Sequence, residues 1–255
     1  MKINVLASSS SGNATVISAG GTALLVDVGI SALRIRRGLE ECGLSPAALQ
    51  GIFITHEHTD HIKGLGVLCK KGDTPVYCSR YLRDDLRRET SAPLHFIEPG
   101  SALQVGEITV TPFPVSHDAL DPMGYIFEHG GLRLGYVTDT GHITRQMEAI
   151  LQGVHGLYLE SNYDVELLHS SGRPWSLIER IEGRWGHLSN EQAADLVRRL
   201  AHPGLQHIIL AHLSSECNTP HHAENTMRRT LAELRLPTEL HISRRDAPLH
   251  AVHLA

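Results

Sequence analysis

An α/β fold is what this chain predicts, on three observations. Short apolar runs of strand length alternate with segments of helical spacing through both halves of the chain. Apolar residues make up 41 % and charged residues 20 % of the 255, at a mean hydropathy of −0.13. That composition suits a water-soluble globule and excludes a disordered polyelectrolyte, a collagen-like chain and a multi-pass membrane protein. No internal repeat, low-complexity tract or linker is visible. Residues 1–255 are therefore expected to form a single domain whose core needs no disulfide staples.

Taken in order, Ile3–Leu6, Ala14–Ile17 and Thr22–Val26 are apolar runs separated by Ser/Gly-rich turns, which reads as an N-terminal β-meander. A helix follows, capped by Ser31, with Ile35, Leu39 and Cys42 on one face and Gly43 as terminator. Gly51–Thr55 is a short strand that stops at HEHTDH; beyond it Ile62, Leu65, Leu68 and Cys69 keep helical spacing until Lys71-Gly72. A strand at Pro75–Cys78 and a helix around Arg80–Arg88 come next. Strands are expected at Glu107–Val115, Gly124–Glu128 and Arg133–Thr138, the last two joined by the Gly130-Gly131 hairpin signal. A strand at Gly156–Glu160 precedes helices around Val165–His169 and Trp175–Ile181. Ser189 and Gln192 then fit a capping box ahead of a stripe of Ala193, Leu196, Val197 and Leu200. His207–Leu210 reads as a strand, Pro220–Leu234 as a helix, and Glu239–Ile242 and Leu249–Val252 as closing strands. Periodicity does not order these strands into sheets.

The net charge of −5 gives no global basic field, so affinity for nucleic acid has to come from local clusters or bound metal. The four cysteines form no C-x-x-C pair, and the opening MKINVLASSS lacks the pattern of a secretory signal. A cytoplasmic protein with free thiols and no membrane association is the expectation. Histidine is the outlying residue, at 18 of 255. His56-Glu57-His58-Thr59-Asp60-His61 places three imidazoles and a carboxylate directly after an apolar strand. On this composition an H-x-H-x-D-H run arises by chance in roughly one such chain in three hundred. In extended geometry His56 and His58 point to one side and can reach one metal; as the chain turns into a helix, Asp60 and His61 are re-aimed towards a second. No thiolate lies nearby, so a dinuclear site with open, water-holding positions is expected rather than a closed structural one. Glu57 should point away and stay solvated. The remaining histidines, His207, His241 and His250 among them, lack ligand spacing.

On these residues the chain resembles the metallo-β-lactamase superfamily, which carries H-x-H-x-D-H at the end of a strand. His117 in FPVSHDA, Asp139 in YVTDTG and His212 in ILAHLS each follow an apolar strand and match the later members of that pattern. The resemblance implies an αββα sandwich, two mixed β-sheets flanked by helices. It implies that His56, His58 and His117 hold one metal and Asp60, His61 and His212 the other, with Asp139 and a hydroxide between them. Asp27 in LLVDVG matches an aspartate that braces the ligand loop. LASSSSGN, SHDALDPMGY, LESNYD, GRPWSLIERI, GHLSN and HLSSECN further resemble the YycJ/WalJ group, bacterial metallo-β-lactamase-fold proteins described as 5′→3′ DNA exonucleases.

The chemistry can be argued beside the resemblance. Two metals about 3.5–4 Å apart activate a shared water for in-line attack and neutralise phosphate charge. A departing alkoxide also needs a proton or electrostatic help, and His187 is the candidate donor. It lies just before the helix capped near Ser189, whose free N–H groups favour an anion. Glu160, at a strand end, can hold and charge that imidazole. The expected catalytic residues are therefore Asp60, Asp139, His187 and Glu160, with Asn13 and Asn162 as candidate substrate contacts. The expected reaction is phosphodiester cleavage of DNA, as a 5′→3′ exonuclease. An RNA nuclease of the tRNA-processing kind stays open, as does an acyl hydrolase (β-lactamase, lactonase or thioesterase). Such donor sets accept Zn²⁺ or Mn²⁺, and also Fe²⁺ or Ni²⁺. Oligomeric state is not legible.

Overall fold

The computed structural model describes residues 1–70, 72–244 and 247–255. Lys71 and the His250 side chain, both named above, lie outside the described residues. The first part of the chain runs β1 (Lys2–Ala7), β2 (Ala14–Ala19), β3 (Thr22–Val26), α1 (Ala32–Glu41), β4 (Gly51–Phe53), α2 (Thr59–Ile62), α3 (Leu65–Leu68), β5 (Val76–Cys78), α4 (Arg83–Glu89) and β6 (Leu94–Phe96). The second part runs β7 (Leu103–Val105), β8 (Ile108–Pro114), β9 (Met123–His129), β10 (Leu132–Val137), α5 (Arg145–Leu151) and β11 (Gly156–Glu160). It continues through α6 (Val165–His169), α7 (Trp175–Glu182), α8 (Asn190–Leu200), β12 (His207–Ala211), α9 (Pro220–Leu234), β13 (Glu239–Ile242) and β14 (Leu249–His253).

These strands build two seven-stranded mixed sheets, ordered β14-β1-β2-β3-β4-β5-β6 and β13-β12-β11-β10-β9-β8-β7. Each sheet is an antiparallel meander that continues into parallel strands: β3 to β6 in the first, β10 to β13 in the second. Alternation along the strands explains the layering. Leu24 and Val26 of β3 face the apolar layer between the sheets, while Ala23 and Leu25 face the helices; in β12, Ile209 and Ala211 turn inward and Ile208 and Leu210 outward. Strands buried on both faces read as unbroken apolar runs, which is why they were visible in the sequence. The result is the αββα sandwich. Among the described residues no helix is long and apolar enough to cross a membrane.

Four elements depart from the sequence expectation. The helix expected across Ile62–Cys69 is two, because Gly64 donates its N–H to Val28 O (2.7 Å). A Cβ at Gly64 would lie 2.1 Å from Ile30 O, so only glycine lets this turn press against the loop after β3. Strands β6 and β7 are three-residue sheet edges, too short and too exposed to carry alternation. Helix α5 went unread although Thr144 caps it and Met147 and Leu151 bury its inner face. Elsewhere the reading matches, including the Ser189–Gln192 capping box of α8.

The parallel strands of both sheets end at one edge of the sandwich. Asp27 follows β3, the His56–His61 segment follows β4, His117 follows β8, Asp139 follows β10, Glu160 ends β11 and His212 follows β12. Carboxyl ends of strands are where open α/β sheets leave room for a ligand.

Candidate active site

Three of these turns are strained. Asp27, Asp139 and His212 hold left-handed backbone, at φ +60°, +48° and +52°. Such conformations cost on the order of 1 kcal/mol or more in a non-glycine residue and persist where surrounding contacts over-determine them. Here each brings a strand-end side chain round into the same cleft, or directly behind it.

The histidines are oriented by partners on their outer nitrogens. His61 Nδ1 lies 2.8 Å from Asp27 Oδ2, and Thr55 Oγ1 donates to both Asp27 oxygens (3.1 and 3.0 Å) while its backbone N–H reaches Oδ1 (2.9 Å). Complete burial raises the Asp27 pKa, and the His61 charge and these hydrogen bonds act against that rise. His56 Nδ1 faces Thr55 Oγ1 at 3.0 Å, His117 Nδ1 donates to Gly186 O (3.0 Å), and His212 Nδ1 donates to Asn13 Oδ1 (3.1 Å). At His56, His117 and His212 these contacts assign the outer nitrogen as the N–H, leaving Nε2 with a lone pair aimed inward. His58 instead turns Nδ1 inward, 3.3 Å from His117 Nε2.

The inward atoms form two clusters joined by one carboxylate. The ligand atoms of His56, His58 and His117 lie within 4.8 Å of one another, as do those of Asp60, His61 and His212, and those of His56, His61 and Asp139. Asp139 Oδ2 is 3.2 Å from His61 Nε2, and its Oδ1 is 3.0 Å from His212 Nε2 and 4.0 Å from His117 Nε2. His56 Nε2 is buried and has no hydrogen-bond partner among the described residues. A buried lone pair without a donor is costly unless a cation meets it, so the donor set fits divalent metal. Burial pushes the His56 pKa well down, and it lowers that of His212, which keeps both neutral as ligands must be. Burial also opposes charge on Asp139, yet His212 and His61 hold it well below the usual carboxylate range. At His61 burial acts downward, but the Asp27 and Asp139 charges raise its pKa well above the ordinary value.

His187 and Glu160 meet beside this cluster. His187 Nδ1 donates to Glu160 Oε1 at 2.6 Å and stands 3.6 Å from Asp139 Oδ1. Glu160 is fully buried, and its Oε2 accepts the N–H of Thr140 (2.9 Å) and of Leu188 (3.4 Å). Burial alone would lower the His187 pKa; the Glu160 charge and hydrogen bond instead raise it to about 9. The imidazole lines a cleft of about 270 Å³ together with His58, Asp60, His117, Asp139 and His212, with Arg173 and Arg180 at its wall.

Other expectations are revised. Asn13 is not among the residues that line the cleft: it is 1 % exposed and packed against the histidines, its Nδ2 3.0 Å from His61 Nε2 and its Oδ1 accepting from His212 Nδ1. It orients ligands, a role its turn-rich sequence context does not signal. Asn162 does line the cleft, while its Nδ2 donates to His212 O (2.9 Å). The start of α8 is no open anion site, because the N–H groups of Leu188, Asn190 and Gln192 go to Glu160, Tyr163 and Ser189. Glu57 is half-buried rather than fully solvated: its Oε1 accepts the Leu120 N–H (3.0 Å) and its Oε2 is buried. Ser8, unread in the sequence, accepts the His212 N–H (2.7 Å) and touches Tyr158 OH (2.9 Å), tying the ligand turn to the inner core.

This fold and this histidine cluster define a class. A family model described as the beta-lactamase superfamily domain matches residues 22–213, and the chain belongs to that superfamily. Within it, the chain is 37 % identical to exodeoxyribonuclease YycJ of Bacillus anthracis, over 91 % of this chain and 90 % of that protein. It is also 37 % identical to exodeoxyribonuclease WalJ of Streptococcus pneumoniae, over 91 % of this chain and 88 % of that protein. Among solved structures, the metallo-beta-lactamase fold protein YhfI from Bacillus subtilis shares the fold at a TM-score of 0.76 and 17 % identity, covering 97 % of this chain and 98 % of that one.

Proposed function

We propose that the chain is a metal-dependent exodeoxyribonuclease that removes nucleotides from the 5′ end of DNA in the cytoplasm, through one domain spanning residues 1–255. The observation that carries this reading is the Glu160–His187 pair, 2.6 Å apart, in which buried Glu160 backs a His187 that lines the cleft beside Asp139. The relatives named exodeoxyribonuclease support DNA as the substrate. In the reading, His56, His58 and His117 hold one divalent ion and Asp60, His61 and His212 a second, with Asp139 reaching both. Zn²⁺ or Mn²⁺ suits the donors best, and Fe²⁺ or Ni²⁺ also fits. When bound, such ions supply Lewis acidity that acidifies a water and neutralises phosphate charge.

The chain's own residues do the rest. Asp60, 24 % exposed at its side chain, offers an acceptor to the attacking water from the cleft side. Asp139 fixes the spacing of the two clusters. His187, charged up to about pH 9, gives its Nε2 proton to the departing 3′-oxygen, and Glu160 keeps it aimed and charged. The test is a gel time course on linear DNA and on closed circular DNA, after chelation and after return of Zn²⁺ or Mn²⁺. Metal-dependent shortening of the linear form alone is expected. Intact DNA under every metal, with cleavage of RNA or of nitrocefin instead, would replace this reading with one of the other two.

A further inference from the structure

Strand β12 carries His212 at one end and begins with His207 at the other. Parallel pairing with the edge strand β13 sets His207 beside Glu239 and Ile209 beside His241. Because side chains alternate along a strand, His207, Glu239 and His241 share one face of the sheet. Their ligand atoms converge: His207 Nδ1 is 3.1 Å from His241 Nε2 and 3.5 Å from Glu239 Oε2, and His241 Nε2 is 3.8 Å from the same oxygen. Bonds of about 2.0–2.1 Å to a tetrahedral ion place neighbouring ligand atoms roughly 3.3–3.4 Å apart, which these three separations bracket.

One hydrogen bond, between His207 Nδ1 and His241 Nε2 at 3.1 Å, accounts for only part of the arrangement. One proton can lie between the two imidazole nitrogens, and the carboxylate stands at 3.5 and 3.8 Å from them, beyond hydrogen-bond length. Three electron-pair donors therefore face a common point. The side chains of His207 and His241 are 14 % and 21 % exposed and that of Glu239 is 68 % exposed, so an ion reaches the point from solvent.

We propose that His207, Glu239 and His241 form a metal site separate from the cleft, taking Zn²⁺ or a cation of similar softness. Two imidazoles and one carboxylate select such ions over Mg²⁺ or Ca²⁺, and three protein ligands leave a fourth position to water. The ion would clamp β13, which among the described residues has a sheet neighbour on one side only, to the strand that supports His212. The site is independent of what the cleft hydrolyses.

The test counts zinc in the whole protein equilibrated at about 10 µM free Zn²⁺, against His241→Ala and Glu239→Gln, with ion positions located by zinc-edge anomalous scattering from crystals. The wild type should hold one more equivalent than either variant, with an anomalous peak between the three side chains. DNA cleavage should be the same in all three proteins. Glu239→Gln changes an exposed side chain and guards against a folding defect in His241→Ala. Equal zinc content, a peak that also needs a neighbouring molecule in the crystal, or binding only at millimolar zinc would overturn the proposal.

Discussion

His187 behaves as it does because of Glu160, and this relation can be read by pH. The carboxylate raises the imidazole pKa to about 9, so the proton-donating form persists through neutrality and is lost as pH rises through that value. Glu160→Gln keeps the hydrogen-bonding shape but removes the charge. The alkaline limb of kcat against pH should move down towards about 6.5, the ordinary imidazole value, while zinc content stays unchanged. The same shift is linked to folding. A raised histidine pKa stabilises the folded chain fully below about 6.5, and that contribution disappears as pH rises through about 9. Thr55 tests the bracing of the ligands in another way. Thr55→Val removes the hydroxyl that serves Asp27, His56 and His61 at once. It should cost about 1–3 kcal/mol in a denaturant titration and weaken metal binding about 10–100-fold in a chelator competition. The residues that gather at the candidate centre were legible, since a six-residue run and three strand-end residues announce them locally. The roles of Asn13, Ser8 and Glu57 were not, because each acts on residues tens of positions or more away and its own surroundings in sequence do not say which.

Loops and helices hold the site by close backbone contact more than by side-chain packing. Gly29 sits where a Cβ would overlap Asp60 O at 1.6 Å, and its N–H bonds Asn13 O (2.8 Å). Gly29→Ala should therefore displace α2 with Asp60 and His61, lowering stability by about 2 kcal/mol or more and reducing metal content, as read by unfolding midpoint and elemental analysis. A loss of stability with full metal content would show that α2 is positioned by something else. Long, doubly buried strands such as β3 and β12 declared themselves by composition. The edge strands β6 and β7 did not, since a three-residue element has no period to detect. The same gap hid the His207–Glu239–His241 cluster: its members are 32 and 34 positions apart, and only the adjacency of β12 and β13 brings them together.

The sandwich gathers the ends of parallel strands from both sheets at one edge, so the two halves of the molecule share the cation-binding task. Asp27, His56, His58, Asp60 and His61 come from the first sheet, and His117, Asp139, Glu160 and His212 from the second. Bound cations then act as a cross-link between sheets, and their removal should be felt by the entire fold. At a free metal concentration about 1,000 times Kd, binding adds roughly 4 kcal/mol, which for a chain of this size corresponds to a fall in Tm on the order of 10 °C on chelation. Calorimetry with and without chelator reads this directly; an unchanged Tm would mean that the sheets are held together without help from the cleft.

The central claim is that this cleft hydrolyses DNA from the 5′ end with His187 as proton donor. Single-turnover digestion of 5′-labelled linear DNA by wild type and His187→Ala, both loaded with the same metal, addresses it most directly. The wild type should release labelled mononucleotide as the first product, and the variant should be slower by about 10²–10⁴-fold with its metal content intact. Equal rates in the two proteins, or a label retained on long fragments, would contradict the account.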